Sequence, residues 1–202
     1  MRIESGTTLT ELLVATAIVL VVSLQASTYC SRLALAMMKF QHRIKLEDEM
    51  RSMQHIFTEN IGRTDYLAYD HNTPIAFYSP SCPQPTSLSF GQFTTESKNS
   101  CVLFSSDKNE NGVLDATSAE NHGYRLRTNA IEYRVKSKTC NQTGWQDITD
   151  SRSTLVTALH FTVKQSSSWG TLLEITIEAQ DATYPDITQT KVFSVGLANV
   201  RG

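Results

Sequence analysis

Apolar and polar positions along the chain follow three different patterns in turn. From Leu12 to Ser31 there is no charged residue, only one Glu just ahead at Glu11 and Arg32 just behind. At ~1.5 Å per helical residue this run spans about 30 Å, the thickness of a bilayer core, and it predicts a membrane-crossing helix. Next, Leu33, Met37, Phe40 and Ile44, then Leu46, Met50, Met53, Phe57 and Ile61, recur at steps of three and four, with Lys39, Arg43, Lys45, Glu47, Asp48, Glu49 and Arg51 between them. That is the stripe of an amphipathic helix. With no Pro before Pro74 and no Gly between Gly6 and Gly62, one helix of ~80 Å is expected from about Thr8 to Gly62.

From about Tyr66 the period changes to two. The stretches beginning at Ile75, Ser87, Cys101, Gly123, Ala130, Leu155, Leu172 and Lys191 read as strands, with hairpin turns at Thr128-Asn129 and within Ser166–Gly170. Leu155, Leu159, Phe161 and Val163 are expected on one face, and Leu173, Ile175, Ile177 and Ala179 on another. The fold class is therefore α+β: an antiparallel sheet rolled onto the second half of the long helix. The chain divides into a leader (1–6), an apolar helix (7–32), its amphipathic continuation (33–65) and a β-rich domain (66–202).

Composition narrows the function. The formal net charge is −2 with a pI near 6.2, so no general basic field attracts nucleic acid. No nucleophile elbow, P-loop or His-Glu-x-x-His motif occurs, and the acidic residues are spread along helix faces and strand edges, so no enzyme is expected. The N-terminus carries too little positive charge before its apolar run for a secretory signal, and Tyr29 before Cys30 does not suit lipoprotein processing. A plain signal anchor stays open as a reading.

Four cysteines bear on the compartment. Cys30 falls in the apolar helix as a free small hydrophobe. Cys82, Cys101 and Cys140 share the β-rich domain, where Cys82–Cys101 is the favoured disulfide and Cys101–Cys140 the next; either bridge points to an oxidising periplasm. A zinc site does not fit their spacing.

The loop from Asp107 to Asp115 has calcium-ligand spacing. Asp107, Asn109 and Asn111 fall at the first, third and fifth places, Gly112 at the sixth, the Val113 carbonyl at the seventh and Asp115 at the ninth. Ser118 stands where the bidentate Glu belongs, with Glu120 close by, so any calcium would be weakly held and structural. An ordinary Asn-Gly turn is the competing reading.

A hydrophilic leader ending in Gly6, then Thr7-Thr8-Leu9-Thr10-Glu11 opening an apolar helix that turns amphipathic, resembles a class III type IV prepilin signal. The resemblance implies cleavage after Gly6 by prepilin peptidase, N-methylation of Thr7, and a Glu11 that meets the new ammonium of a neighbouring subunit. The competing role for Glu11 is a helix N-terminal carboxylate favoured by the macrodipole. Within this class, the long helix, the strands from Cys101 to Val135 and Gly144-Trp145 are similar to the W-type minor pilins, the prepilin peptidase-dependent protein B family, relatives of the J-type minor pseudopilins of type II secretion. That similarity implies a pilin-like roll in the bacterial inner membrane with its C-terminal domain in the periplasm. It further implies a minor pilin that joins other minor pilins and the major pilin at the filament tip, priming assembly with consequences for adhesion, twitching or DNA uptake. The alternatives are a secretion pseudopilin, or a tip adhesin or DNA-uptake module.

Overall fold

The computed structural model describes residues 8–68, 87–112, 114, 120–167 and 169–200. Helix α1 runs unbroken over Leu9–Gly62, as the absence of Pro and Gly dictates. Within it the fold separates into two compact units, residues 1–42 and 43–202.

The first unit is the apolar part of α1. The helix is long and apolar enough to cross a membrane, and none of its most apolar window is buried by the protein. Thr16, Thr28 and Ser31 return their hydroxyls to carbonyls of the preceding turn, so these polar groups are satisfied inside the helix.

The second unit holds two antiparallel meanders. Strands β1 (Ser89–Gly91), β2 (Cys101–Ser105), β3 (Asn121–Arg127), β4 (Ala130–Tyr133) and β5 (Gln146–Asp147) pair in sequence order. Strands β6 (Thr154–Ser167), β7 (Gly170–Asp181) and β8 (Thr188–Leu197) form a separate sheet. The single sheet expected from sequence is therefore two. They meet where Val156 N–H donates to Asn129 O and Phe161 N–H to Asn99 O. Two-residue β5 has no alternating pattern to betray it, and the strand expected at Ile75 lies outside the described residues.

Leu46, Met50, Met53, Phe57 and Ile61 are all buried, and they pack with Val102, Phe104, Tyr124, Leu126 and Ile131 of the first sheet and Leu159, Phe161, Leu173, Ile175 and Ile177 of the second. Phe57 links the sheets, its ring 4.7 Å from Tyr124 and 6.0 Å from Phe161. One helical stripe thus serves two sheets, each side chain worth ~1.5–3 kcal/mol of burial.

The expected inner face of β6 is corrected in part. A register shift between Val156 and Ala158 puts Val156, not Leu155, in the core with Leu159 and Phe161, and Val163 is exposed beside a second shift. A bulge inserts one residue and flips the alternation beyond it. On β7, which lacks this interruption, Leu173, Ile175, Ile177 and Ala179 are buried as the alternation requires. Both expected hairpins form: Thr128 and Asn129 take positive φ of 50° and 63°, the geometry of a type I′ turn, and Ser167 pairs with Gly170 across the other.

Candidate functional site

At the start of α1, Thr8 and Glu11 form a reciprocal capping box. The Thr8 amide donates to Glu11 Oε2 at 2.9 Å, the Glu11 amide to Thr8 Oγ1 at 3.3 Å, and the Thr8 hydroxyl also donates to Glu11 Oε2 at 3.0 Å. Two orphan donors of the helix terminus are satisfied by this exchange. In the single chain the charge at the edge of the apolar run is a helix-starting carboxylate, close to the macrodipole reading. Gly6 and Thr7 lie outside the described residues.

The two apolar stripes of α1 occupy different faces. Leu33, Met37, Phe40 and Ile44 are exposed while Leu46, Met50, Met53, Phe57 and Ile61 are buried. The step of two from Ile44 to Leu46 rotates the stripe by about 200°. Cys30 is free and exposed.

The Asp107 loop springs from the end of β2. Asp107 accepts backbone N–H bonds from Asn111 at 3.2 Å, Gly112 at 2.8 Å and Ala68 at 3.0 Å, and Asn109 Oδ1 accepts from the Asn111 amide at 3.0 Å. Burial raises the Asp107 carboxyl, yet the amides of Ala68, Gly112, Asn111 and Glu110 together outweigh it and hold the group below the usual aspartate range. Glu120 closes the loop base: its side chain accepts from Lys108 N–H at 3.3 Å and its carbonyl from Ser106 N–H at 3.1 Å. Among the described residues no three His, Cys, Asp or Glu side chains gather as a metal site, and Val113 and Asp115 lie outside them. What the described residues show is an aspartate that ties a turn to the exit of α1, with Gly112 at φ +80° supplying the sharp bend.

The disulfide joins Cys101 to Cys140, whose Cα atoms stand 6.1 Å apart, and so replaces the favoured Cys82–Cys101 pairing; Cys82 is outside the described residues. Sequence distance misled here. Cys101 is the cross-strand partner of Arg125, and the Arg125 guanidinium holds the carbonyls of Cys140 and Gln142, which brings the later loop back over β2.

The model of the prepilin peptidase-dependent protein B family matches residues 39–197. The chain belongs to this family. It is also 22% identical over 195 residues to prepilin peptidase-dependent protein B of Escherichia coli strain K12, covering 95% of each chain. No solved structure matches. The family match thus takes in the two-sheet unit and the amphipathic half of α1, while the similarity to the E. coli protein reaches into the apolar half as well.

The chief site that sequence reasoning missed in this family member is the stack around Arg125. Its side chain is wholly buried, paired with Glu132, and lies 4.5 Å from the ring centre of Trp145 and 5.0 Å from that of Phe93. Arg127 also lies over the Phe93 ring, 4.8 Å from its centre, and reaches Glu132 at 3.6 Å. Arg125 Nη2 alone has no hydrogen-bond partner, its contact being the aromatic faces. The alternating "GYRLRT" reads as a strand with its arginines in water, and only Trp145 and Phe93, distant in sequence, turn one of them inward. Nearby, His122 Nδ1 lies 2.8 Å from the Tyr133 hydroxyl, and burial, with Lys108, Arg134 and Arg63 adding, lowers its pKa against the opposing pull of Glu120.

Proposed function

We propose that the chain is a minor pilin which, once prepilin peptidase has cut after Gly6, primes or caps type IV pilus assembly within a minor-pilin complex at the filament tip. Glu11 carries this reading: a carboxylate held at the first turn of a helix whose apolar window is entirely uncovered by its own chain. A capping box is worth only ~1 kcal/mol. A carboxylate moved into an apolar filament core faces a desolvation penalty of several kcal/mol, which an ammonium partner offsets. Cleavage would generate that ammonium on Thr7, so Glu11 would exchange an internal cap for an intersubunit partner and set the axial register.

The exposed Leu33, Met37, Phe40 and Ile44 stripe supports helix packing against other minor pilins and the major pilin. On this reading the apolar half of α1 sits in the bacterial inner membrane and the two-sheet unit in the periplasm, where the Cys101–Cys140 bridge persists, before both move to the pilus tip. Family membership supports the peptidase as processing partner. The subunit acts by assembly, without catalysis. Calcium in the Asp107 loop would be a structural addition; Asp107, Asn109 and Asn111 are its described side-chain candidates.

The test is Glu11→Val in cells that hold the peptidase. The mature chain, beginning at Thr7 by mass, should form and insert as in the wild type, while its recovery in assembled complexes falls about tenfold or more, since ~1.4 kcal/mol per decade is well within a buried charge pair. Normal assembly of the variant would remove the register role.

A further inference from the structure

The β6–β7 hairpin carries a feature that anchoring and sheet formation do not use. Trp169 sits at its turn with 90% of its surface exposed. A free loop aromatic would fold back onto the nearest apolar surface, but this turn is clasped. Ser167 Oγ donates to Gly170 O at 3.1 Å and accepts from Trp169 N–H at 3.3 Å, and Ser166 and Thr171 hydroxyls meet at 3.0 Å across the strands. Gly170, at φ +142°, packs so closely on β8 that a Cβ there would lie 2.9 Å from Leu197 O, which pins the hairpin end against its own sheet.

The hairpin's place in the second unit is defined by contacts along its length. β6 begins beside the helix, where Ser153 Oγ donates to Glu49 at 3.0 Å. It ends beyond it: a Cβ on Gly62 would touch Val195 at 3.7 Å, and Val195 pairs with Leu173, which pairs with Val163. Three or four further strand residues separate this point from the turn. Trp169 therefore lies at the end of this unit where α1 stops.

Charge defines the kind of partner. From Gln165 to Leu172 there is no charged residue, and the nearest lysine, Lys164, is paired with Glu174 at 2.8 Å. Among the described residues of this turn, a phosphate backbone or acidic surface meets no cation. Leu172 is exposed beside the tip, and its cross-strand neighbour Gly196 has nothing within 4 Å of a Cβ position, leaving an open notch next to an apolar side chain. A rigid aromatic with an uncharged apolar flank is the usual composition of an interface hot spot.

We infer that Trp169, with Leu172 and the notch over Gly196, docks in an uncharged apolar socket on another prepilin-derived subunit, at the end of this domain where α1 stops. The inference rests on the minor-pilin reading above. Benzoylphenylalanine, a photo-reactive residue, is placed at position 169, at exposed Thr190 on β8, or at exposed Phe40 on α1, each in the full-length chain in cells that assemble the pilus. Irradiation should give an adduct with one prepilin-derived subunit, identified by mass, from positions 169 and 40 but not from 190. Trp169→Ala and Gly196→Arg, both surface changes that leave the core intact, should lower recovery of that subunit about tenfold or more without changing the level of mature chain. Adducts from position 40 with none from 169, or full recovery with both variants, would overturn the hairpin inference and leave the minor-pilin reading standing. Adducts from neither position would overturn both.

Discussion

Arg125 is the residue whose role depends most on its neighbours. Its guanidinium is stacked between Trp145 and Phe93, paired with Glu132 and bonded to two loop carbonyls, so truncation would leave Glu132 buried beside Arg127 alone. Arg125→Ala should destabilise the folded chain by about 3–5 kcal/mol, and Arg125→Lys should rescue little, because an ammonium has neither the planar fork nor the stacking face. Chemical denaturation checks both, and a lysine variant as stable as the wild type would contradict the stack. His122 gives a pH signature. Its folded pKa is below the ordinary value of about 6.5, so between those two values the unfolded chain binds more protons than the folded one. Stability through this group is therefore fully present above about pH 6.5 and is lost as pH falls toward the folded value. The stability difference between wild type and His122→Gln should accordingly shrink on acidification; a difference that grew would reverse the sign of the argument.

At the scale of elements, the Asp107 loop and α1 show how a local motif acquires a second use. The carboxylate that a calcium loop would place first is bonded by amides from its own turn and from Ala68 just beyond the helix. Asp107→Ala should lower stability in chelator by about 1–3 kcal/mol, the cost of leaving buried donors unpaired. In millimolar calcium the wild-type melting temperature should rise with free calcium and that of the variant should not, since only an ion binding the folded state adds stability. A flat wild-type response would leave the turn held by amides alone. The helix makes the converse point. Its periodicity shows two apolar stripes, yet periodicity cannot say which one the sheets cover; Leu46 to Ile61 is the stripe they bury.

For the molecule as a whole, the Cys101–Cys140 bridge closes a sequence separation of 39 residues that contains β2, β3 and β4. By loop-closure entropy such a cross-link contributes about 4 kcal/mol, and it lies in the first sheet, with Trp145 against it, apart from the main core. The double change Cys101→Ala and Cys140→Ala should lower the melting temperature by several degrees, loosening β1–β5 before β6–β8; hydrogen exchange distinguishes the sheets. Equal loss of protection in both sheets would show that they open as one unit.

The sequence alone determined what depends on local chemistry: an apolar then amphipathic helix, turns at Asn129 and Gly170, and a β7 core face of Leu173, Ile175, Ile177 and Ala179. Each follows from a period or a backbone preference read within about ten residues. The prepilin resemblance could be read for the same reason, since the residues that carry it, Gly6, Glu11 and the apolar run, are close together in the chain. Tertiary structure decided the break into two sheets, the Val156 bulge, the cysteine partner, the inward turn of Arg125 and the solvent-facing Trp169. Those outcomes depend on residues tens of positions apart meeting in space, where burial and pairing outweigh every local preference, and no pattern along the chain records them.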